Sequence, residues 1–257
     1  MLRAFIDTTA AGVAVTARAV LDALLPPQCP ITGDTVSAPG VLSAKGWSQI
    51  RFIDDPVCAG CGAPFAYNHG EGVQCGACHA DKHSFDSARA AILYDDASHK
   101  LVVSFKHGDR TEFAPMFGKW LARAGASLIN EQSIVIPTPL HPRRLAVRRY
   151  NQAALIAGFA ANDLGCAYAP QGLTRTRATQ PQKLLSEDAR KRNVAGAFAV
   201  REEMIELVRD AHIIVVDDVL TTGATVSACA RALKKAGAAR VDALVLARVA
   251  RGGADAI

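Results

Sequence analysis

The sequence predicts an α/β protein with a mainly parallel sheet flanked by helices, preceded by a small module built on four cysteines. Three observations carry this reading. From Phe85 onward, short apolar runs alternate with stretches of helical period. The run "AHIIVVDDV" (211–219) is almost continuously apolar, as a strand buried on both faces must be. Upstream stand two C-x-x-C pairs, Cys58/Cys61 and Cys75/Cys78. The 257 residues are 50% hydrophobic and 21% charged, an ordinary globular composition, and the length fits one large domain or two unequal ones.

The first 25 residues, "MLRAFIDTTAAGVAVTARAVLDALL", are rich in Ala, Val and Leu. Arg3, Asp7, Arg18 and Asp22 break the apolar run before it reaches the roughly 18 to 20 residues of a membrane span, so no transmembrane segment is expected. An amphipathic helix over 1–25 is expected instead, its apolar face packing on the domain, a partner or a membrane surface. No export signal is visible. The expected setting is therefore cytoplasmic and reducing, where seven cysteines do not read as a disulfide framework.

Residues 26–83 make the cysteine module. Each C-x-x-C can place two thiolates on one tight turn, and Gly62 after Cys61 suits the positive-φ position of such a turn. Two such turns together give a closed tetrahedral structural zinc site of Cys58, Cys61, Cys75 and Cys78. "CGACH" (75–79) also matches a haem-attachment pattern, but that chemistry needs export and leaves Cys58/Cys61 unexplained. A redox pair is the third reading, and neither C-x-x-C is expected to open a helix in a thioredoxin-like context. Cys29 has no C-x-x-C partner, since position 32 is Thr. It is a spare ligand, half of a degenerate second site, or a buried or free thiol. Cys166 and Cys229 read as small core residues. A module this size has a thin core and depends on its metal.

The α/β domain is expected over 84–251. In order, "ARAAILYDD" reads as a strand, "HKLVVSFKHGD" surrounds Lys106, "APMFGKWLARAGASLI" is a helix and "SIVIPTP" a strand. "NQAALIAGFAANDLG" follows as a helix, "AHIIVVDDV" as a strand, "GATVSACARALKKAG" as a helix and "VDALVLARVA" as a strand. Ligands of such folds sit at the carboxyl ends of the strands, where Asp217 and Asp218 stand. Gly223 allows a tight loop, and the amides of Thr221, Thr222, Gly223, Ala224 and Thr225 lead into the next helix, a ready phosphate cradle. Two carboxylates beside such a cradle suit a sugar phosphate, accepting hydrogen bonds from ribose hydroxyls and helping to hold hydrated Mg²⁺. The plainer alternative is a helix capped by Thr221 or Thr222, which needs one such residue and not two acids and three threonines around a glycine.

"IIVVDDVLTTGAT" (213–225) resembles the signature of type I phosphoribosyltransferases, which use phosphoribosyl pyrophosphate (PRPP). The resemblance implies the phosphoribosyltransferase type I fold, ribose contacts from Asp217 and Asp218, and a 5-phosphate loop from Thr221 to Thr225. Relatives acting on 6-oxopurines carry Asp where Thr221 stands, which disfavours hypoxanthine or guanine as acceptor. Together with "PTPLHPRRLAVRRYNQA" (137–153), "LTRTRATQPQKLLSEDARKRNVAGAF" (173–198) and the cysteine module, the chain resembles the ComF family of competence-associated proteins from Cys29 to Arg248. That resemblance implies a zinc ribbon fused to a PRPP-binding fold and, in some bacteria, a role in taking up single-stranded DNA with other uptake proteins. An amidotransferase activity is not expected, because the chain lacks an N-terminal Cys nucleophile.

The formal net charge is +5, but its placement is uneven. Between His141 and Asn193 ten Lys and Arg face three acids, 10 − 3 = +7. By the resemblance, "PTPLHPRR" is the pyrophosphate loop, with Arg143 and Arg144 as a bidentate clamp. "RTRATQPQ" (175–182) has the composition of a mobile hood, from which Arg175 and Arg177 can close over a leaving group or another polyanion. Arg148, Arg149, Tyr150, Arg190, Lys191 and Arg192 are candidate nucleic-acid contacts, Tyr150 as a stacking ring or as a packed side chain at a helix start. His107 and His141 are candidate bases by position only, and a lone His is commonly structural. Whether the protein transfers a phosphoribosyl group or serves as a DNA-uptake accessory, the sequence leaves open.

Overall fold

The protein is described by a computed structural model over residues 26–107, 110–179 and 186–250. The helix expected over 1–25 lies outside the described residues, as do the His107 side chain and residues 180–185 of the basic segment.

In chain order the elements are α1 (Ala44–Ser48), α2 (Gly76–Ala80), β1 (Ala88–Leu93), α3 (Asp96–His107), α4 (Ala114–Gly125), β2 (Ser133–Pro137), α5 (Pro142–Arg148), α6 (Gln152–Leu164) and β3 (Ala167–Tyr168). Then come β4 (Leu173–Arg175), α7 (Glu187–Val194), β5 (Phe198–Val200), α8 (Ile205–Val208), β6 (His212–Leu220), α9 (Ala224–Lys235) and β7 (Arg240–Arg248). Five strands form one sheet in the order β1-β7-β6-β2-β3, with every neighbouring pair parallel. β4 and β5 pair antiparallel beside it.

The apolar run of β6 explains the layers. Side chains alternate across a strand, so Ile213 and Val215 enter one core with Val226, Cys229 and Leu233 of α9. Ile214 and Val216 enter the other with Phe117 and Leu121 of α4 and Ile156 and Ala160 of α6. Burying each such side chain stabilises the fold by about 1.5–3 kcal/mol. α6 is set by its ends: the Asn151 side chain accepts from Ala153 N, and Gly165 closes the helix in the left-handed region at φ 68°.

α4 and α6 meet at Gly118, where an added Cβ would lie 2.3 Å from Phe159 Cβ. Ala ordinarily stabilises a helix over Gly by about 1 kcal/mol. Here Gly118→Ala is expected to do the opposite, costing about 1–3 kcal/mol by overpacking. A thermal melt checks the sign.

β6 runs further than the sequence suggested. It pairs with β7 out to Leu220, opposite Arg248, so Asp217 and Asp218, its sixth and seventh residues of nine, lie inside its carboxyl half and not past its last residue. The long β7 supplies the backbone partners that keep the strand going.

Residues 26–54 do not have a core of their own. Ile31, Leu42 and Ile50 are buried in the same cluster as Phe113, Phe117 and Trp120. A bridge from Phe52 to Ile92 extends this segment onto β1. Trp47, Phe52 and Trp120 form a ring cluster with centroids 5.0–5.6 Å apart.

At the amino ends of the strands Ser133 Oγ meets His212 Nδ1 at 3.0 Å, and His212 Nε2 meets Asp242 Oδ2 at 2.8 Å. All three side chains are buried, so this Ser-His-Asp geometry ties β2, β6 and β7 together and has no access for a substrate. No helix among the described residues is long and apolar enough to cross a membrane.

Candidate functional site

The acid pair sits where β2 and β6 run side by side. Thr138, just past β2, donates its amide to Val216 O at 2.8 Å and its hydroxyl to Asp217 Oδ1 at 2.8 Å. Asp217 Oδ1 also accepts the Asp218 amide at 2.9 Å. Asp218 Oδ2 pairs with Lys106 Nζ at 2.9 Å, both side chains about four-fifths covered. Burial pushes the Asp217 carboxyl up to about 7, and the Asp218 charge adds to it, against the pull of Thr138, the Asp218 amide and Lys106. Burial likewise raises the Tyr94 hydroxyl, which lies within the field of Lys106 and Asp218. The result is a carboxylate poised near neutral pH beside one ion-paired with a lysine.

The loop after β6 turns at Gly223, which adopts φ 76° and serves as the N-cap of α9 with no side-chain cap hydrogen bond. Neither Thr221 nor Thr222 is the N-cap. Thr222 Oγ1 instead accepts from Ala224 N at 3.4 Å. The positive φ favours glycine here, and a Cβ would crowd His83 Cε1 at 3.0 Å. The His83 ring stacks on Phe85 at 4.5 Å, so the end of the cysteine module walls the loop.

The basic candidates separate into groups. Arg144 donates to Thr179 O at 3.4 Å, and Arg175 donates to Thr179 Oγ1. Arg175 is buried at 8% exposure over the Phe198 ring, and its Nε has no hydrogen-bond partner among the described residues. Burial depresses both guanidinium pKa values; Arg148 adds to this at Arg144, and Arg144 and Arg177 at Arg175, while Cys229 and Asp217 oppose it at Arg175. An incoming anion would relieve that crowding. Arg143 is exposed on the first turn of α5, whose N-cap is His141, accepting from the Arg143 amide. His141 thus has a structural role. Arg177 is committed elsewhere, donating to Asn193 O and Ala195 O at 3.0 and 3.1 Å at the end of α7.

The candidate nucleic-acid contacts also divide. Arg149 closes α5 in the left-handed region, Arg148 donates to Gln152 Oε1 at 3.3 Å, and Tyr150 donates its hydroxyl to Phe105 O at 2.7 Å. One edge of Tyr150 remains on an open groove of 690 Å³ shared with Leu155, Phe159 and Tyr168. Arg190, Lys191 and Arg192 lie on α7, where Lys191 pairs with Asp81 of the cysteine module.

The four sulfurs of Cys58, Cys61, Cys75 and Cys78 lie within 4.8 Å of one another, with Cys58–Cys78 at 3.8 Å and Cys61–Cys75 at 3.6 Å. Zinc–sulfur bonds of about 2.3 Å arranged tetrahedrally put sulfurs about 3.8 Å apart, so the set fits zinc. Backbone amides of Cys61 and Cys75 point at Cys58 Sγ, and Arg248 Nη2 donates to Cys61 Sγ at 3.2 Å. Burial raises the thiols of Cys61 and Cys78. At Cys58 burial also pushes upward, but the amide hydrogen bonds outweigh it and leave about 7. Four thiolates together need the cation. The second C-x-x-C does open a short helix, since Cys75 is the N-cap of α2. Its five residues are far from the βαβ context of a redox pair.

A double zinc ribbon model matches residues 20–79 and a phosphoribosyl transferase domain model matches 151–256. The DNA utilization protein YhgH of Escherichia coli K12 is 33% identical over 208 residues, 78% of this chain and 88% of that protein. The chain belongs to the ComF family. Its ComF relatives also include Competence protein F of Haemophilus influenzae, 27% identical over 75% of this chain and 85% of that protein. Among solved structures, the PRPP amidotransferase of B. subtilis shares 20% identity with this ComF chain over 51% of its length and 25% of its own, with a TM-score of 0.35.

In this ComF chain the site also uses side chains to which sequence reasoning gave no role. Lys106, Thr138, His83 and Arg248 reach the acid pair, the loop and the thiols from other elements. Thr138 alone left a trace, as the first polar residue after an apolar strand.

Proposed function

We propose that this chain binds PRPP with Mg²⁺ at the carboxyl end of β6, in the manner of a phosphoribosyltransferase, with an acceptor that is not a 6-oxopurine. The observation that carries this is the Thr138-anchored acid pair, placed beside a helix start that has no side-chain cap. Asp217 and Asp218 would bind the ribose hydroxyls and hold hydrated Mg²⁺, hard oxygen donors suiting that ion. When bound, Mg²⁺ supplies charge neutralisation for the departing pyrophosphate. The amides from Thr221 to Thr225 would receive the 5-phosphate. Arg144 and Arg175 would take the pyrophosphate, Arg175 with an Nε unpartnered among the described residues. Lys106 holds the charge of Asp218 until the cation arrives. Catalysis of this kind is electrostatic: fixed positive groups stabilise the leaving group as the ribose C1 becomes oxocarbenium-like.

The second reading is a DNA-uptake accessory that binds single-stranded DNA or uptake proteins. The names of its relatives, a DNA utilization protein and a competence protein, support it, as does the aromatic groove at Tyr150, Phe159 and Tyr168 beside Arg148 and Arg149. Both readings place the protein in the cytoplasm, a reducing setting that suits its unpaired thiols.

Calorimetric titration of the zinc-loaded protein with PRPP and Mg²⁺, repeated with a short single-stranded oligonucleotide, separates the two. Saturable PRPP heat is expected. No such heat, with oligonucleotide binding that survives moderate salt, would replace the first reading by the second.

A further inference from the structure

The cysteine module is two copies of one knuckle. In the second copy, Cys58 N donates to Ala63 O at 2.7 Å, Gly62 N to Cys58 O at 2.8 Å and Phe65 N to Pro56 O at 2.8 Å. In the first, Cys29 N donates to Asp34 O at 2.8 Å, Gly33 N to Cys29 O at 2.9 Å and Val36 N to Pro27 O at 2.9 Å. Gly33 and Gly62 share the left-handed conformation, at φ 79° and 66°. The bridge Gln28–Thr35 has its counterpart in Val57–Pro64. Each copy then enters a five-residue helix, α1 capped by Ser43 and α2 by Cys75, with cap dihedrals of −65°, 158° and −72°, 159°.

This correspondence matches Cys29, Thr32, Ser43 and Gly46 to Cys58, Cys61, Cys75 and Cys78. The side chains agree with the backbone. Thr32 Oγ1 and Ser43 Oγ meet at 3.0 Å where Cys61 and Cys75 sulfurs meet at 3.6 Å. A Cβ on Gly46 would lie 2.6 Å from Cys29 Sγ, just as Cys78 Sγ approaches Cys58 Sγ. A double ribbon implies two metals, yet this donor set is one thiol, two neutral hydroxyls and a glycine. Structural zinc takes thiolate, imidazole or carboxylate, so the first set does not fit.

We propose that the first knuckle is a metal-free copy, held by its hydroxyl network and by apolar packing, so that the chain carries one zinc and not two. Ile31, Leu42 and Ile50 join the main core, whereas the second knuckle buries little besides its own cysteines. Trp47 of the first copy lies against Trp120, and these are the two tryptophans of the chain.

Metal analysis of the full-length protein, purified with zinc present, tests this. One zinc per chain is expected, unchanged in Cys29→Ser. A ratio of two or of zero, or a ratio that falls in Cys29→Ser, would overturn it. Removing the zinc with a chelator is expected to leave tryptophan emission unshifted, because both rings belong to the metal-free copy and its seat. An emission shift in step with zinc loss would contradict that independence. The triple variant Thr32→Cys/Ser43→Cys/Gly46→Cys, checked by circular dichroism, should raise cobalt uptake from one to two per chain. A folded triple variant still binding one would refute the matching of positions.

Discussion

Stripping zinc from Cys58, Cys61, Cys75 and Cys78 will release residues 56–80 from the fold and cost the protein more stability than any single side-chain change. The expectation rests on what surrounds the thiols. Among the described residues only Ala63 and Phe65, both part-buried, pack against the four cysteines, so little apolar burial remains once the metal leaves. Structural zinc sites bind with about 10–16 kcal/mol in isolated peptides, and here part of that energy fastens the ribbon to the sheet. Arg248 is the fastening, 3% exposed, with its Nη2 on Cys61 Sγ and its Nε without a partner. Loss of the thiolates leaves a buried guanidinium short of its counter-charge, a costly arrangement. A fall of about 3 kcal/mol or more, roughly 10 °C in Tm, is expected. Hydrogen exchange should show residues 56–80 losing protection while α4 and α6 keep theirs. Uniform protection after chelation would mean that the ribbon stands on packing alone.

Asp217→Asn will abolish PRPP binding and raise the melting temperature above pH 7. Asn keeps an acceptor for both the Thr138 hydroxyl and the Asp218 amide, so the local geometry survives. What disappears is a part-buried negative charge next to Asp218. The Asp217 carboxyl sits at about 7 in the fold against an ordinary 3.8. Between those values the folded state binds more protons than the unfolded one, so this group lowers stability as pH rises from about 4 to 7. Asp217 is part-buried at the crevice, which trims the cost to on the order of 1–3 kcal/mol. The variant should therefore gain most at pH 8 and nothing near pH 4. Calorimetry with PRPP and Mg²⁺ should show at least about a 100-fold loss, and Asp217→Asn/Asp218→Asn no saturable heat. A variant that melts lower at pH 8, or binds PRPP as the parent does, would remove the acid from the role assigned to it.

The parts of the site that were legible in the sequence are those contiguous along the chain. A buried strand, two acids, a glycine turn and a helix start follow one another from Ile213 to Thr225, so their order alone places them at a strand's carboxyl end. The paired spacing of Cys58, Cys61, Cys75 and Cys78 is legible for the same reason. Contacts that cross the fold left no such trace. Nothing around Lys106 points to Asp218, and nothing around Arg248 points to Cys61, because each pair is made by packing. The duplicated knuckle was legible only as one of several readings of Cys29, half of a degenerate second site, because its recurrence lies in backbone hydrogen bonds and one ligand letter in four survives in the first copy. The basic segment misled in another way: its charge is continuous in sequence, yet Arg177 and Lys191 are spent on Asn193, Ala195 and Asp81.

The seating of the ribbon has a consequence for biosynthesis. The ribbon leaves the ribosome early, but the strand beside its neighbour β1 is β7, the last in the sheet, and Arg248 is that strand's final residue. Until the chain is almost finished, β1 lacks its one strand partner in the sheet and the zinc-bound knuckle has no seat. Such long-range closure is slow and leaves strand edges open while it waits. A nascent chain stalled before residue 240 would thus present a loaded ribbon and a β1 open along its β7 edge at once, a form that the cell's chaperones, and not the protein's own core, would have to shelter.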